Sequence, residues 1–457
     1  MTAAVKKAAT LCSVVVLVGI VMWIPAPAAA QDSGASLHGT AEAGYRFRTD
    51  SEHQDSDFIE RLSLQGFFPW KTLGEGADVG FVFSGQLQED VDGKARRDRF
   101  DPFRDLADTY DQPTVGWIYL AYAELTRPGP FQLLRAGRQD LLDLLPIPFD
   151  GGLVTVQPST KVDLNLTAFG GIPTNLFERD RRSGDAVGGA YLDWRPGRTL
   201  SFRVGYLSLR DRVELLDGAE ETLDENLFIL QGAWFPRPGD VLISRLTFRN
   251  AELRDATVRA SHRDEDHHLN LSAYYTGQYL TREAEPLTVD PFAILLGELR
   301  PYNLGGIVVY KGIGERLGVE GGAVVRGLSG DNTENLYNHS FQRYLVTLYL
   351  NKVPLARSQF SAGLDWWMAE ENHFETQSAH AEYDQRFGSH GLFRAGTAYA
   401  IYQVDEWTGR EQEHAQTYFA DLGIPAGKKL LFLLSYNFED STLRQVDTLR
   451  ARVRYEF

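Results

Sequence analysis

From about residue 37 to its last residue the chain alternates apolar and polar side chains with a period of two. Nothing else in it constrains the fold as strongly. In residues 37–47, Leu37, Gly39, Ala41, Ala43, Tyr45 and Phe47 share one face, and His38, Thr40, Glu42 and Arg46 the other. Segment 268–279 sets Leu269, Leu271, Ala273, Tyr275 and Tyr279 against His268, Asn270, Ser272, Thr276 and Gln278. Segment 360–369 sets Phe360, Ala362, Leu364, Trp366 and Met368 against Ser361, Gly363 and Asp365. Stretches of about ten residues with one apolar and one polar face are half-buried strands. After residue 36 no apolar run is long enough for a membrane helix, and no helical period is sustained.

The connections alternate as well. Tight turns occur at Arg127-Pro128-Gly129-Pro130, Arg195-Pro196-Gly197-Arg198, Arg237-Pro238-Gly239-Asp240, Phe387-Gly388-Ser389-His390-Gly391 and Pro425-Ala426-Gly427-Lys428. Proline and glycine there supply the fixed or positive φ that short hairpins need. Between them lie longer, charged connections at 48–57, 89–113, 174–185, 211–225, 281–291, 329–339 and 404–414. Short turns alternating with long loops are the pattern of an outer-membrane barrel.

The last nine residues, Leu449-Arg450-Ala451-Arg452-Val453-Arg454-Tyr455-Glu456-Phe457, alternate without a break and stop on an aromatic ring. Such a strand matches the signal by which bacterial outer-membrane barrels meet their assembly machinery. A sheet of this size in lipid must close, because unpaired backbone groups in hydrocarbon cost several kcal/mol each. The expected fold is therefore all-β: one closed antiparallel transmembrane β-barrel of about 22 strands, even in number and within 18–22. The count of 22 requires 241–250 and 254–263 to form a separate hairpin.

Residues 1–30 read as a secretory signal, with Lys6 and Lys7 ahead of the apolar run Leu11–Ile24 and Ala28-Ala29-Ala30 at the cleavage site. The barrel is then 31–457. Cleavage removes the single cysteine, Cys12, and two lysines, so the net charge moves from −16 to −18. Without cysteine the exported chain has no disulfides, no multi-cysteine metal site and no c-type haem. An acidic balance excludes a general nucleic-acid surface.

If apolar faces meet lipid, the polar faces line a lumen, and arginine dominates them. Beyond residue 30 nearly all the positive charge is guanidinium, whose planar fork binds carboxylate and phosphate. The candidate binding set is Arg46, Arg61, Arg203, Arg245, Arg259, Arg326, Arg386, Arg450 and Arg452, with Arg48, Arg249, Arg263 and Arg454 on the same faces. Luminal Glu382, Asp384 and Glu456 could instead pair with arginines and fill the interior. Segment 89–113, the longest connection, is expected to fold over or into the pore. Its Asp90-Val91-Asp92-Gly93 lacks the rest of a calcium loop's spacing. His267 and His268 are adjacent and face opposite sides of a strand. No nucleophile elbow or HExxH occurs, so neither catalytic residues, metal nor cofactor is expected.

Leu133-Leu134-Arg135-Ala136-Gly137-Arg138-Gln139, followed by Phe149-Asp150-Gly151-Gly152 and by Phe169-Gly170-Gly171, resembles the strand–loop–strand core of the alginate export porin family. The resemblance covers about residues 115–175, and the loop 140–148 is more apolar and acidic than the family's. It implies a monomeric outer-membrane barrel with an arginine-rich lumen for a polyanionic polysaccharide. It adds Arg135 and Arg138 to the arginine set, although their opposite parity lets only one face the lumen of a regular strand.

The function expected is a porin or exporter for anionic solutes or acidic polysaccharide. Its partners are membrane lipid, the assembly machinery through Phe457, and the solute itself. The alternatives are a barrel sleeve around a partner such as a cytochrome or lipoprotein, and a membrane-embedded hydrolase.

Overall fold

The computed structural model describes residues 35–70, 76–91, 103, 114–141, 145–159, 162–174, 184–214, 220–280, 300–329, 339–369, 376–388, 391–404, 411–441 and 444–457. The expected signal and Cys12 lie outside these residues, as does most of segment 89–113.

The described residues form strands without any helix. In chain order these are β1 (Ser36–Thr49), β2 (Gln54–Pro69), β3 (Asp78–Asp90), β4 (Thr114–Thr126), β5 (Phe131–Leu141), β6 (Leu145–Ser159), β7 (Leu164–Pro173) and β8 (Ala186–Trp194). Then come β9 (Leu200–Glu214), β10 (Glu220–Trp234), β11 (Asp240–Arg249), β12 (Glu252–Asp264), β13 (Leu269–Gln278), β14 (Tyr302–Ile313) and β15 (Leu317–Leu328). The last seven are β16 (Phe341–Asn351), β17 (Ser358–Ala369), β18 (Thr376–Phe387), β19 (Gly391–Val404), β20 (Glu411–Ala426), β21 (Leu430–Ser441) and β22 (Gln445–Glu456). They make one 22-stranded antiparallel sheet, and β1 pairs with β22 from Thr40↔Glu456 to Thr49↔Asp447. The sheet closes, as the alternation requires. The hairpin at 241–263 is present as β11 and β12.

Every expected tight turn follows an even-numbered strand, on the edge where β1 begins and β22 ends. Every expected long connection falls on the other edge. Two of these are shorter than expected because pairing continues into them. β1 and β2 stay in register to Thr49↔Gln54, and β9 and β10 to Glu214↔Glu220. The β1–β2 turn is closed by Asp50, whose Oδ1 accepts the N–H of Glu52 at 2.8 Å and of His53 at 2.6 Å. Burial opposes the charged form of Asp50, but those two N–H groups and His53 hold its carboxyl below the ordinary value.

Directly opposed residues share a face, so the registers assign the strands they join, and on β18 the His380 ring against inward Gly363 puts the even positions, Arg386 among them, inside. The outer face carries the exposed large apolar side chains, among them Phe202, Val204, Phe228, Leu348, Leu364, Phe432 and Leu434. Trp194, Phe202 and Trp234 stand near the short-turn edge, and Tyr45, Tyr279, Tyr344 and Tyr418 near the other. From Phe360 to Met368 the apolar face covers roughly 27 Å along β17, or roughly 21 Å across a membrane at a tilt of about 40°. That matches an outer-membrane hydrocarbon band flanked by two aromatic girdles.

Two compact units divide the sheet. The first comprises the chain to Leu125 with Glu382–Ala398 and Ala415–Phe457; the second comprises Thr126–Ala381 and Tyr399–His414. In the second, the inner face holds an apolar cluster of Phe149, Leu153, Phe169, Val187, Leu207, Leu209, Leu227 and Ile229, all buried, with Leu141. This corrects the expectation that apolar side chains serve lipid alone. The Phe-Gly pattern of the family-like segment builds this cluster. Gly151 opposes Gly171, a Cβ on Gly151 would stand 2.2 Å from the Gly170 carbonyl oxygen, and the rings of Phe149 and Phe169 pack 5.9 Å apart.

In the first unit the closing seam has its own close approach. Phe457 exchanges backbone hydrogen bonds with Gly39 at 3.1 Å each way, and a Cβ on Gly39 would meet the Phe457 ring at 2.4 Å. Gly39→Val is expected to destabilise the barrel by about 1–3 kcal/mol through overpacking at the seam. Gly321→Ala, where the nearest atom is 3.9 Å away, is expected to be neutral. Urea unfolding of the refolded barrel, read by the heat-dependent gel shift, compares the two.

Candidate functional site

The seam strands carry the densest arginine face of the first unit. On β1 the inner positions are Glu42, Arg46 and Arg48; on β22 they are Arg450, Arg452, Arg454 and Glu456. Period-two alternation places them: β22 puts charge at every second residue from Arg450 to Glu456, and on β1 Glu42, Arg46 and Arg48 share one parity. Three arginines converge on one carboxylate. Glu42 accepts from Arg454 Nε at 3.0 Å and Nη2 at 2.9 Å, from Arg452 Nη1 at 3.3 Å and from Arg61 Nη1 at 3.4 Å. Arg61 also donates to Gln86 at 2.8 Å. On the neighbouring ladder Arg46 Nε donates to Asp57 at 2.9 Å, and Arg48 pairs with Asp55 through Nε at 2.7 Å. Asp57 is held from its other side by Gln88 at 3.0 Å.

Arg450 stands differently. It lies directly opposite Arg46, with Arg48 and Arg452 as further positive neighbours and Asp421 as the acid that attracts it. Its side chain is exposed, and among the described residues it makes no ion pair. Like charges directly opposed across a ladder are destabilising. At Arg450 the attraction of Asp421, which falls short of an ion pair, is what opposes that cost.

Phe103, from the long connection after β3, reaches this wall. It is 2% exposed, its carbonyl accepts from Arg48 Nη2 at 2.7 Å, and the Arg48 guanidinium stands 5.5 Å from its ring centre. The remainder of that connection beyond Val91 lies outside the described residues. Elsewhere in the first unit Arg394 stands over Phe419 at 5.2 Å and 3.4 Å from Asp421. Arg386 is exposed at the short-turn end of β18 without an ion pair among the described residues.

The second unit treats its arginines mostly as partners. Arg203 binds Asp193 with two bonds of 2.6 and 3.2 Å and covers Tyr191 at 5.0 Å. Arg249 pairs with Glu225, and Arg326 lies over Tyr302 at 4.3 Å. Arg245 is half-buried near Asp255. Arg135 is on the inner face, opposite Leu153. Arg259, opposite Tyr274, is exposed and makes no ion pair among the described residues.

Ten of the eleven expected arginines thus face inward; Arg138 does not. It opposes Asp150, on the face that carries the exposed Ile172, and binds it with bonds of 2.8 and 3.0 Å. Parity decides it, because Gly137 and Gly151 occupy the inner positions between them. The inward set also divides into paired and free members, which residue type alone does not reveal. Arg343 was not anticipated. It donates to Asp365 at 2.9 Å and stacks 4.8 Å from Trp367 on the inner face. Its segment, Phe341–Leu350, is apolar on both faces, so the alternation there is weak; the opposed pair Leu345↔Asp365 is the signal that places it.

A closed sheet with an aromatic-belted apolar outer face and a charged inner face defines an outer-membrane β-barrel. Among solved structures, the chain is similar to OccK1 (OpdK) of Pseudomonas aeruginosa, at 12% identity over 93% of this chain and 98% of that one, with a TM-score of 0.45. It is similar to OccK2 (OpdF) of the same organism, at 12% identity over 93% and 97% of the two chains, TM-score 0.46. The figures for OccAB4 of Acinetobacter baumannii are 12%, 93% and 98%, TM-score 0.45. No family model matches the chain and no curated protein matches it, so neither comparison supports the alginate export resemblance of residues 115–175. The barrel itself is established by its own β1–β22 ladder.

Glu42→Gln is expected to lower stability by about 1–2 kcal/mol, a buried-pair penalty discounted for the solvent that reaches its arginines. Arg450→Ser breaks no ion pair among the described residues and is expected to stay within about 0.5 kcal/mol of the parent. Denaturant titration of both variants in one detergent measures the difference.

Proposed function

We propose that the chain is a passive outer-membrane channel for anionic solutes, with acidic, uronate-rich polysaccharide as its larger cargo. The observation that carries this reading is Arg450, an exposed guanidinium on the inner face, opposed to Arg46 and flanked by Arg48 and Arg452. A cation beside other guanidiniums, attracted by Asp421 but in no ion pair among the described residues, offers its charge to whatever passes. Arginine rings of this kind select anions in pores, and the planar fork suits carboxylates in particular. The paired arginines hold the wall in shape, and Arg450, Arg386 and Arg259 supply open donors. The protein works as one chain without catalysis.

Reversal potential across a planar bilayer under a potassium chloride gradient tests the reading. The parent is expected to favour anions. An ion passing about 6 Å from Arg450 in water gains about 0.7 kcal/mol, less in salt. Arg450→Glu changes the charge by two units and acts oppositely on anion and cation, so after screening by salt it is expected to lower the anion-to-cation permeability ratio by roughly tenfold. Oligogalacturonate is expected to block the parent current more strongly than that of Arg450→Glu. Cation selectivity in the parent, or an unchanged ratio in the folded variant, contradicts the proposal.

A further inference from the structure

We propose that the inner wall of β13–β17 carries, near the short-turn mouth, a subsite for an uncharged, hydroxyl-rich ligand such as a neutral saccharide unit. A cavity of about 400 Å³ opens there, lined by Asn270, Ser272, Tyr310, Glu320, Tyr349 and Gln359, with Val308. The registers bring these residues together. Asn270 opposes Tyr310, Tyr310 opposes Glu320, and Ser272 opposes Val308. Asn270 and Gln359 are the second residues of β13 and β17, which sets the cavity at the edge shared with the start of β1 and the end of β22. In an outer-membrane barrel the short turns are periplasmic.

The lining differs in kind from the arginine wall. Tyr310 and Tyr349 meet edge to face, with ring centres 5.8 Å apart and planes at 64°. Such a corner accepts the C–H face of a sugar ring. Around it stand one hydroxyl and two carboxamides, which supply donors and acceptors together, and one carboxylate, which accepts only. Among the described residues, no arginine or lysine lines the cavity. Glu320 therefore repels an anion, while a single carboxylate among neutral groups is a poor trap for a free cation. Gln359 is itself oriented by a 2.7 Å bond to Asn351. The volume lies in the range of small-ligand pockets, roughly 300–1,000 Å³. An apolar corner with convergent, mixed-polarity hydrogen-bonding groups is the chemistry of hydroxylated rings.

The subsite stands independently of the anion channel, and its test separates the two. Saturation-transfer difference NMR on the intact barrel in amine-oxide micelles would use maltose, cellobiose and sucrose as neutral probes. Choline is the cationic control and glucuronate the anionic one. At least one neutral disaccharide is expected to bind with a dissociation constant of roughly millimolar strength. Glu320→Ala with Tyr349→Ala is expected to weaken it about fivefold or more, as loss of hydrogen bonds to a bound ligand does. Arg450→Glu, whatever it does to selectivity, is expected to leave sugar binding unchanged. Each variant is checked for the heat-dependent gel shift; Gln359→Ala replaces the double variant if that fails to fold. Absence of neutral-sugar binding, preference for choline, or undiminished binding in a folded variant of the lining overturns the proposal.

Discussion

The obligation to pair every backbone N–H and C=O governs this molecule. In hydrocarbon no water can substitute for a missing partner, so the sheet must end where it begins. The β1–β22 ladder meets that demand, and the last bonds are those between Phe457 and Gly39. Side-chain arrangement follows from closure. Once the two faces are fixed, alternate residues are committed to lipid or to the interior, and a shift of one residue would reverse all of them. The seam also carries the densest arginine face of the first unit among the described residues, and the same register that closes the barrel places Arg46 opposite Arg450.

The inner face resolves into two chemistries that the two units carry separately. In the first, arginines gather on Glu42, Asp55 and Asp57, and the surplus stays open at Arg450. In the second, most described arginines have an acid or an aromatic ring close by, and part of the wall is given to Phe149, Phe169, Leu207 and Leu227. A wall that pairs its charges and buries apolar side chains gains internal packing. A wall that leaves a guanidinium opposite another forgoes stability at that point. Strain of this sort, tolerated by an otherwise well-paired structure, is characteristic of a working surface.

Most of the architecture was legible in the sequence because period two is nearly unbroken. Strand type, the 22-strand count, the edges on which short and long connections fall, and the inward parity of nine arginines all follow from that alternation. Three things did not follow. Leu207 and Leu209 alternate with Ser208 and Arg210, so hydropathy alone would turn the leucines to lipid, whereas the register places them inside. Arg138 matched a family pattern, and only its register against Asp150 showed it on the outer face. Residues 48–57 and 211–225 are charged enough to look like loops, yet cross-strand pairs such as Arg46 with Asp57 keep their ends as strand. Opposite charges on facing strands read as loop composition until the partner is known.

The net charge of −16 and the basic wall are compatible because charge acts locally. Exposed charges farther apart than about 8–10 Å are screened at ordinary salt, so acids in distant connections do little to a solute beside Arg450. What the solute meets is the residue pattern within one Debye length. Along the seam this is arginine with its carboxylates already engaged by other guanidiniums. A carboxylate held by three arginines, as Glu42 is, does not neutralise the wall so much as fix it. Each donor bond it accepts removes a rotamer choice from a long side chain, and the guanidiniums reach the lumen already oriented. Preorganised donors bind without the ordering cost that flexible ones incur. The acid at the centre of the cluster is thus part of what makes the basic face effective.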